Sequence, residues 1–184
     1  MTTKIANLKE LTALRDAERQ ENAQLSASGH KCIRICLGAS CIASGALKIK
    51  ESLESEIEER QLQDKVTIVG TGCLGPCSGG PVLMIDDVFY EKLKPQDAKD
   101  LVVEHLGRGK VVERLTHKRP DGRSMATAGD MDFFKRQKKI VLRNCGVIDP
   151  QRIEDYIARD GYQALANTLA ANDPEVVLET MRAS

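Results

Sequence analysis

Ile5, Leu8, Leu11 and Leu14 recur at three-residue steps among Lys, Glu, Arg and Gln, a spacing that predicts an amphipathic helix over residues 3–28, stopped by Ser26–Gly29. The period then shortens to two. Cys32-Ile-Arg-Ile-Cys36 alternates as a short strand does, and Val66–Val69 reads as a second one. Between them, the loop from Cys36 to Cys41 leads into a long helix near Gly45–Gln61. Pro81–Ile85 and Val88–Tyr90, separated by Asp86-Asp87, read as a hairpin. Pro95 opens a helix to about Leu106, with Gly107 as its stop. Residues 114–130, rich in Gly, Ser, Thr and Arg around Pro120-Asp-Gly, read as a linker. Beyond it Ile140–Gly146 is strand-like, Asp149-Pro150 caps a helix through Ala158, and Asp160-Gly161 breaks it. Helices over Tyr162–Ala170 and from Asp173-Pro174 through Met181 complete the pattern.

Two of these turns carry the candidate chemistry. Cys36-Leu-Gly-Ala-Ser-Cys41 and Cys73-Leu-Gly-Pro-Cys77 each follow a strand-like run and lie in Gly/Ser/Pro loops. Thiolates are soft ligands, and four of them converging from two loops can close a tetrahedral zinc site or hold a [2Fe-2S] cluster with two sulfurs per iron. Zinc sites usually pair cysteines across a two-residue gap, although gaps up to four occur; both gaps here are wider than two, which leans toward iron. A thiol-redox reading would require Cys-x-x-Cys, and neither pair fits it. Cys32 and Cys145 read as buried small apolar residues. His30, His105 and His117 are scattered among basic or aliphatic neighbours and read as solvated, and Asp86-Asp87 is spent on a turn. No Ser-His-Asp or paired-carboxylate arrangement stands out, so no residue is expected to perform acid–base or nucleophilic chemistry.

Composition narrows the classes further. The 184-residue chain has zero formal net charge, 3% aromatics and no Trp, which makes aliphatic packing dominant and argues against bulk attraction to nucleic acid or membrane. Residues 1–6 contain no apolar signal core, and no stretch approaches the roughly 20 apolar residues of a membrane span. Six cysteines without a signal segment are expected in a reducing, cytoplasmic setting as ligands and spare thiols rather than disulfides. Charge is nonetheless uneven: residues 108–143 hold eleven Lys and Arg against four acids. That stretch reads as a solvated linker or as a strap for an acidic partner surface. Without interleaved aromatics it does not suggest nucleic-acid binding.

The cysteine spacing and element order resemble the thioredoxin-like [2Fe-2S] ferredoxins, in the variant found in respiratory complex I and in NAD-linked hydrogenases and formate dehydrogenases. The resemblance implies that Cys36 and Cys41 hold one iron and Cys73 and Cys77 the other. A second block, from Ile140-Val-Leu-Arg-Asn-Cys-Gly to Gln-Ala-Leu165, is similar to the opening of the NADH-binding flavoprotein subunit of those complexes. The implied organisation is an α/β protein with an N-terminal helix (1–29), a thioredoxin-like [2Fe-2S] domain (30–113), a linker (114–130) and a mainly helical start of a truncated NADH:acceptor flavoprotein domain (131–184). The implied function is one-electron carriage within a multi-subunit NAD(P)H-linked oxidoreductase, as a component that is not catalytic alone; the alternative is a zinc-stabilised interaction module. FMN and NAD(H) are expected only in a downstream part, because none of the glycine-rich stretches present matches a phosphate-cradling loop.

Overall fold

The computed structural model describes residues 4–184, which divide between two compact units, one of Ser26–Pro150 and one that joins the described residues up to Leu25 with Gln151–Ser184. In the first unit, β1 (Lys31–Cys36) and β2 (Val66–Thr71) run parallel, while β3 (Leu83–Ile85) pairs antiparallel with both β1 and β4 (Val88–Tyr90). The sheet order is β2-β1-β3-β4. Between β1 and β2 lie a short helix α1 (Ala39–Ala43) and a longer one, α2 (Ala46–Glu59). Gly45, at φ 99°, makes the bend between them in a region where a side chain would be strained. The expected long helix is therefore preceded by a separate turn of helix that carries Cys41.

Strand alternation sorts the core into two faces. Ile33, Ile35, Leu83, Ile85 and Tyr90 pack with Ile49, Leu53 and Ile57 of α2 and with Leu101 and Val102. The four-residue steps within α2 put those three residues on one stripe, and each buried aliphatic contributes roughly 1.5–3 kcal/mol of transfer free energy. The second cluster gathers Cys36, Cys41, Leu74, Val82 and Phe89 with Met125 and Met131. The helix expected from Pro95 begins as α3 (Asp97–Asp100) and widens into a π-helical turn over Leu101–Gly107.

Residues 114–130, expected as a linker, are ordered against the sheet edge. Phe89 N–H donates to Ala126 O at 2.8 Å, Glu91 N–H donates to Leu115 O at 2.9 Å, and bridges join Val88 to Thr127 and Tyr90 to Thr116. A small ribbon, β5 (His117–Lys118) with β6 (Ser124–Met125), projects from this segment. The physical reason is β4, an edge strand whose unpaired amides and carbonyls need partners. The short helix α4 (Asp132–Lys135) follows. The strand expected over residues 140–146 does not form. Ile140, Val141 and Leu142 are 67%, 90% and 62% exposed, and the chain coils instead into turns in which Cys145 N–H donates to Leu142 O at 3.0 Å.

The second unit is helical. The first helix of the chain, αN (Leu8–Ala27), opens on Asn7, whose Oδ1 accepts from Glu10 N–H at 3.0 Å while Glu10 Oε2 accepts from Ala6 N–H at 2.8 Å, a reciprocal cap. The helix expected here starts at residue 3, which lies outside the described residues. The later helices are α5 (Ile153–Ala158), α6 (Gln163–Ala171) and α7 (Pro174–Ala183). Asp160 and Tyr162 take positive φ at the expected break, and Asp173 caps α7 by accepting from Glu175 N–H at 3.1 Å and Val176 N–H at 3.4 Å. Arg19 Nε donates to Ala158 O at 2.7 Å, and Arg152 pairs with Glu18 at 2.7 Å. Leu165, Leu169, Val176, Leu178 and Met181 stay exposed. Among the described residues, no helix is long and apolar enough to cross a membrane.

Candidate metal centre

The end of β1 and the end of β2 lie side by side, since Cys36 is in register with Thr71. Each strand therefore releases its cysteine loop at the same sheet edge, where open α/β sheets place their sites. Cys36 is the last residue of β1, Cys41 sits in α1, Cys73 follows β2 by two residues, and Cys77 begins a single 3-10 turn, Cys77–Gly79. The Gly80–Pro81 peptide is cis and leads back into the sheet.

The thiols form two pairs that face one another. Cys36 and Cys41 are within side-chain hydrogen-bond reach, as are Cys73 and Cys77, while Cys41 senses Cys77 and Cys73 senses Cys36 across the gap. Burial is the first cause that pushes the Cys41 thiol up to about 11; the bond with Cys36 adds to it, and the Val82 N–H, aimed at the sulfur, opposes it. Cys73 is raised too, first by partial desolvation within its loop although the residue lies at the surface, and is opposed by the Gly75 N–H. The two pairs differ in depth. Cys36 and Cys41 are 2% and 1% exposed, whereas Cys73 and Cys77 lie at the surface. Among the described residues no three His, Cys, Asp or Glu side chains close around one point as a single-ion cage.

The space between the loops is kept open by glycine. A Cβ at Gly38 would stand 3.5 Å from Cys36 Sγ and 3.8 Å from Cys73 Cα, and one at Gly80 would stand 3.3 Å from Cys41 Sγ. Four soft donors around a gap that side chains would fill suit an iron–sulfur group.

Several residues around this centre were not expected there. Cys145, expected as a buried apolar residue in a strand, is half-buried in a turn, and its Sγ–H donates to Cys73 O at 3.3 Å. Phe133 lies against Gly75. Phe134, Phe133 and Phe89, all the Phe residues of the chain, form a chain of edge contacts with centroids 5.1 and 5.7 Å apart. The Phe133-Phe134 pair in an aromatic-poor sequence was the one available signal. Cys32 is half-buried. Of the three histidines expected to be solvated, His105 is the correction, while His30 and His117 keep solvent contact. His105 is buried at 7% exposure, with Nδ1 2.8 Å from Tyr90 Oη, and burial lowers its pKa. His30 meets Thr67 Oγ1 at 2.7 Å, and His117 meets Glu91 at 3.0 Å.

The family description "Thioredoxin-like [2Fe-2S] ferredoxin" matches residues 21–105. A 2Fe-2S ferredoxin of Clostridium pasteurianum is 32% identical over 77 residues, covering 41% of this chain and 76% of that protein. The chain belongs to the thioredoxin-like [2Fe-2S] ferredoxin family. The HndC component of the NADP-reducing hydrogenase of Solidesulfovibrio fructosivorans is 54% identical over 43 residues, 23% of this chain and 9% of HndC. An NADH-quinone oxidoreductase component of Buchnera aphidicola is 32% identical over 78 residues, 40% of this chain and 48% of that protein. The crystal structure of the thioredoxin-like [2Fe-2S] ferredoxin of Aquifex aeolicus superposes with a TM-score of 0.44 at 30% identity, over 47% of this chain and 94% of that one.

Proposed function

We propose that Cys36, Cys41, Cys73 and Cys77 hold the [2Fe-2S] cluster of this family, and that the chain is a one-electron carrier within an NAD(P)H-linked oxidoreductase of several subunits. The observation that carries the ligand assignment is the meeting of the four thiols as two facing pairs at one sheet edge. When bound, such a cluster supplies one-electron transfer. The chain's own residues ligate, aim the Val82 and Gly75 N–H groups at sulfur, and limit water on the Cys36 and Cys41 side. NADH gives up a hydride, so a flavin elsewhere must part the two electrons.

The setting within a complex is supported by the names of HndC and of the Buchnera aphidicola relative, of which this chain spans only a part. The exposed apolar side chains of Leu165, Leu169, Leu178 and Met181 support reading residues 131–184 as flavoprotein-like. A cytoplasmic location agrees with free cysteines throughout. The organisation we propose keeps a ferredoxin domain at 30–113, joined through 114–130 to that flavoprotein start.

Anaerobically purified protein should carry about two irons and two acid-labile sulfides per chain and be brown. Serine at any of Cys36, Cys41, Cys73 or Cys77 should strip or destabilise the cluster, whereas Cys32→Ser should retain it. Colourless protein with stoichiometric zinc would replace this reading with that of an interaction module.

A further inference from the structure

Residues 131–148 lie across the loop that carries Cys73 and Cys77. Thr71 Oγ1 donates to Ile148 O at 3.2 Å, and Cys145 Sγ–H donates to Cys73 O at 3.3 Å. A Cβ at Gly72 would meet Cys145 Sγ at 3.3 Å, one at Gly146 would meet Leu74 Cδ2 at 2.8 Å, and one at Gly75 would meet Phe133 Cε1 at 2.5 Å. Glycine is thus required on both sides of the contact. Gly75 takes φ 124° and Gly146 φ 81°, both strained for other residues. Met131, 2% exposed, anchors the start of the strap in the same cluster as Leu74.

Resting on the assignment of Cys73 and Cys77 as ligands, we propose that Phe133 and Cys145 are positioning residues that clamp the Cys73–Cys77 loop and so tune the cluster's reduction potential and lifetime. The route is short. Phe133 is 41% exposed, yet one edge of its ring rests on Gly75, whose N–H points at the Cys73 sulfur. The Cys145 thiol holds the carbonyl of Cys73 itself. An N–H aimed at a ligand sulfur favours the more negative, reduced state and raises the potential. Loosening the clamp weakens that bond and also admits water, which acts in the opposite direction. Cys73 and Cys77 are already at the surface, so the added water changes less than the lost directional bond.

The test uses the full chain with its cluster. Phe133→Ala and Cys145→Ala should keep the iron and sulfide content of the parent, shift the midpoint potential to more negative values, and lose iron to a chelator several-fold faster. Cys145→Ser, which keeps a donor, should return both readouts toward the parent. Cys145→Ala leaves the core untouched and answers the question even if Phe133→Ala fails to fold. Parent-like potential and parent-like iron loss in Cys145→Ala would overturn the clamp alone. An intact parent-like cluster in Cys73→Ser and Cys77→Ser would instead overturn the ligand assignment, and the clamp with it.

Discussion

The two cysteine pairs ask different things of the fold. Cys36 and Cys41 belong to the second core cluster beside Val82 and Phe89, whereas Cys73 and Cys77 stand at the surface. Removing a buried thiol leaves an unfilled space whose lining loses contacts; removing an exposed one does not. In the cluster-free protein, Cys36→Ala and Cys41→Ala should each lower stability by about 1 kcal/mol, while Cys73→Ala and Cys77→Ala should stay within about 0.5 kcal/mol of the parent. Denaturant melts check this, and equal losses at all four sites would refute the asymmetry. The pairs themselves were legible because each is local, a few residues apart in a turn. Their depth was not, nor was the approach of Cys145 to Cys73, since contacts between residues far apart in sequence leave no periodicity to read.

At the scale of elements, the sheet and its α2 helix followed from alternation and four-residue steps, and the hairpin from Asp86-Asp87, where Asp86 takes φ 55°. Elements defined by a partner were harder to see. Residues 114–130 carry linker composition, yet they satisfy the edge of β4. Ile140–Leu142 carry strand composition, yet find no strand to join. The widened turn over Leu101–Gly107 is another such case, since it buries His105 against Tyr90, whose Oη also accepts from Val112 N–H at 3.2 Å. Burial is the main cause that lowers the pKa of His105; Asp86 and Asp87 pull it up and Lys31 pushes it down. The folded chain thus binds this proton more weakly than the unfolded one, whose value is near 6.5. Stability should be full above that value and fall as the pH drops from it toward the lower folded pKa. Thermal melts of the cluster-free protein from about pH 7 to about pH 5 should show a smaller decline in His105→Gln than in the parent. Matching slopes would remove His105 from the account.

For the whole molecule, zero net charge conceals a basic stretch, and the structure separates its spent charges from its free ones. Arg108 pairs with Glu104 at 2.6 Å, and Arg114 reaches Asp97 at 2.7 Å and Asp100 at 2.5 Å. Among the described residues Lys118, Arg119, Lys138 and Lys139 have no ion pair, and Lys139 lies 5.9 Å over the Phe134 ring. Lys138 and Lys139 belong to the same 131–148 run that crosses the Cys73–Cys77 loop, so an acidic partner surface drawn to them would dock close to the exposed side of the centre. Charges of this kind steer and orient more than they bind, and they fade with salt because the Debye length is about 8 Å at physiological ionic strength. Reversing Lys118, Arg119, Lys138 and Lys139 to Glu should therefore slow and weaken assembly with the other subunits of the proposed complex at low salt, with the difference from the parent closing as salt is added. The cluster's absorption spectrum should not change, since none of the four lies in either cysteine loop. Assembly of the quadruple variant at the parent's rate in low salt would mean that these charges serve only to keep a surface segment hydrated.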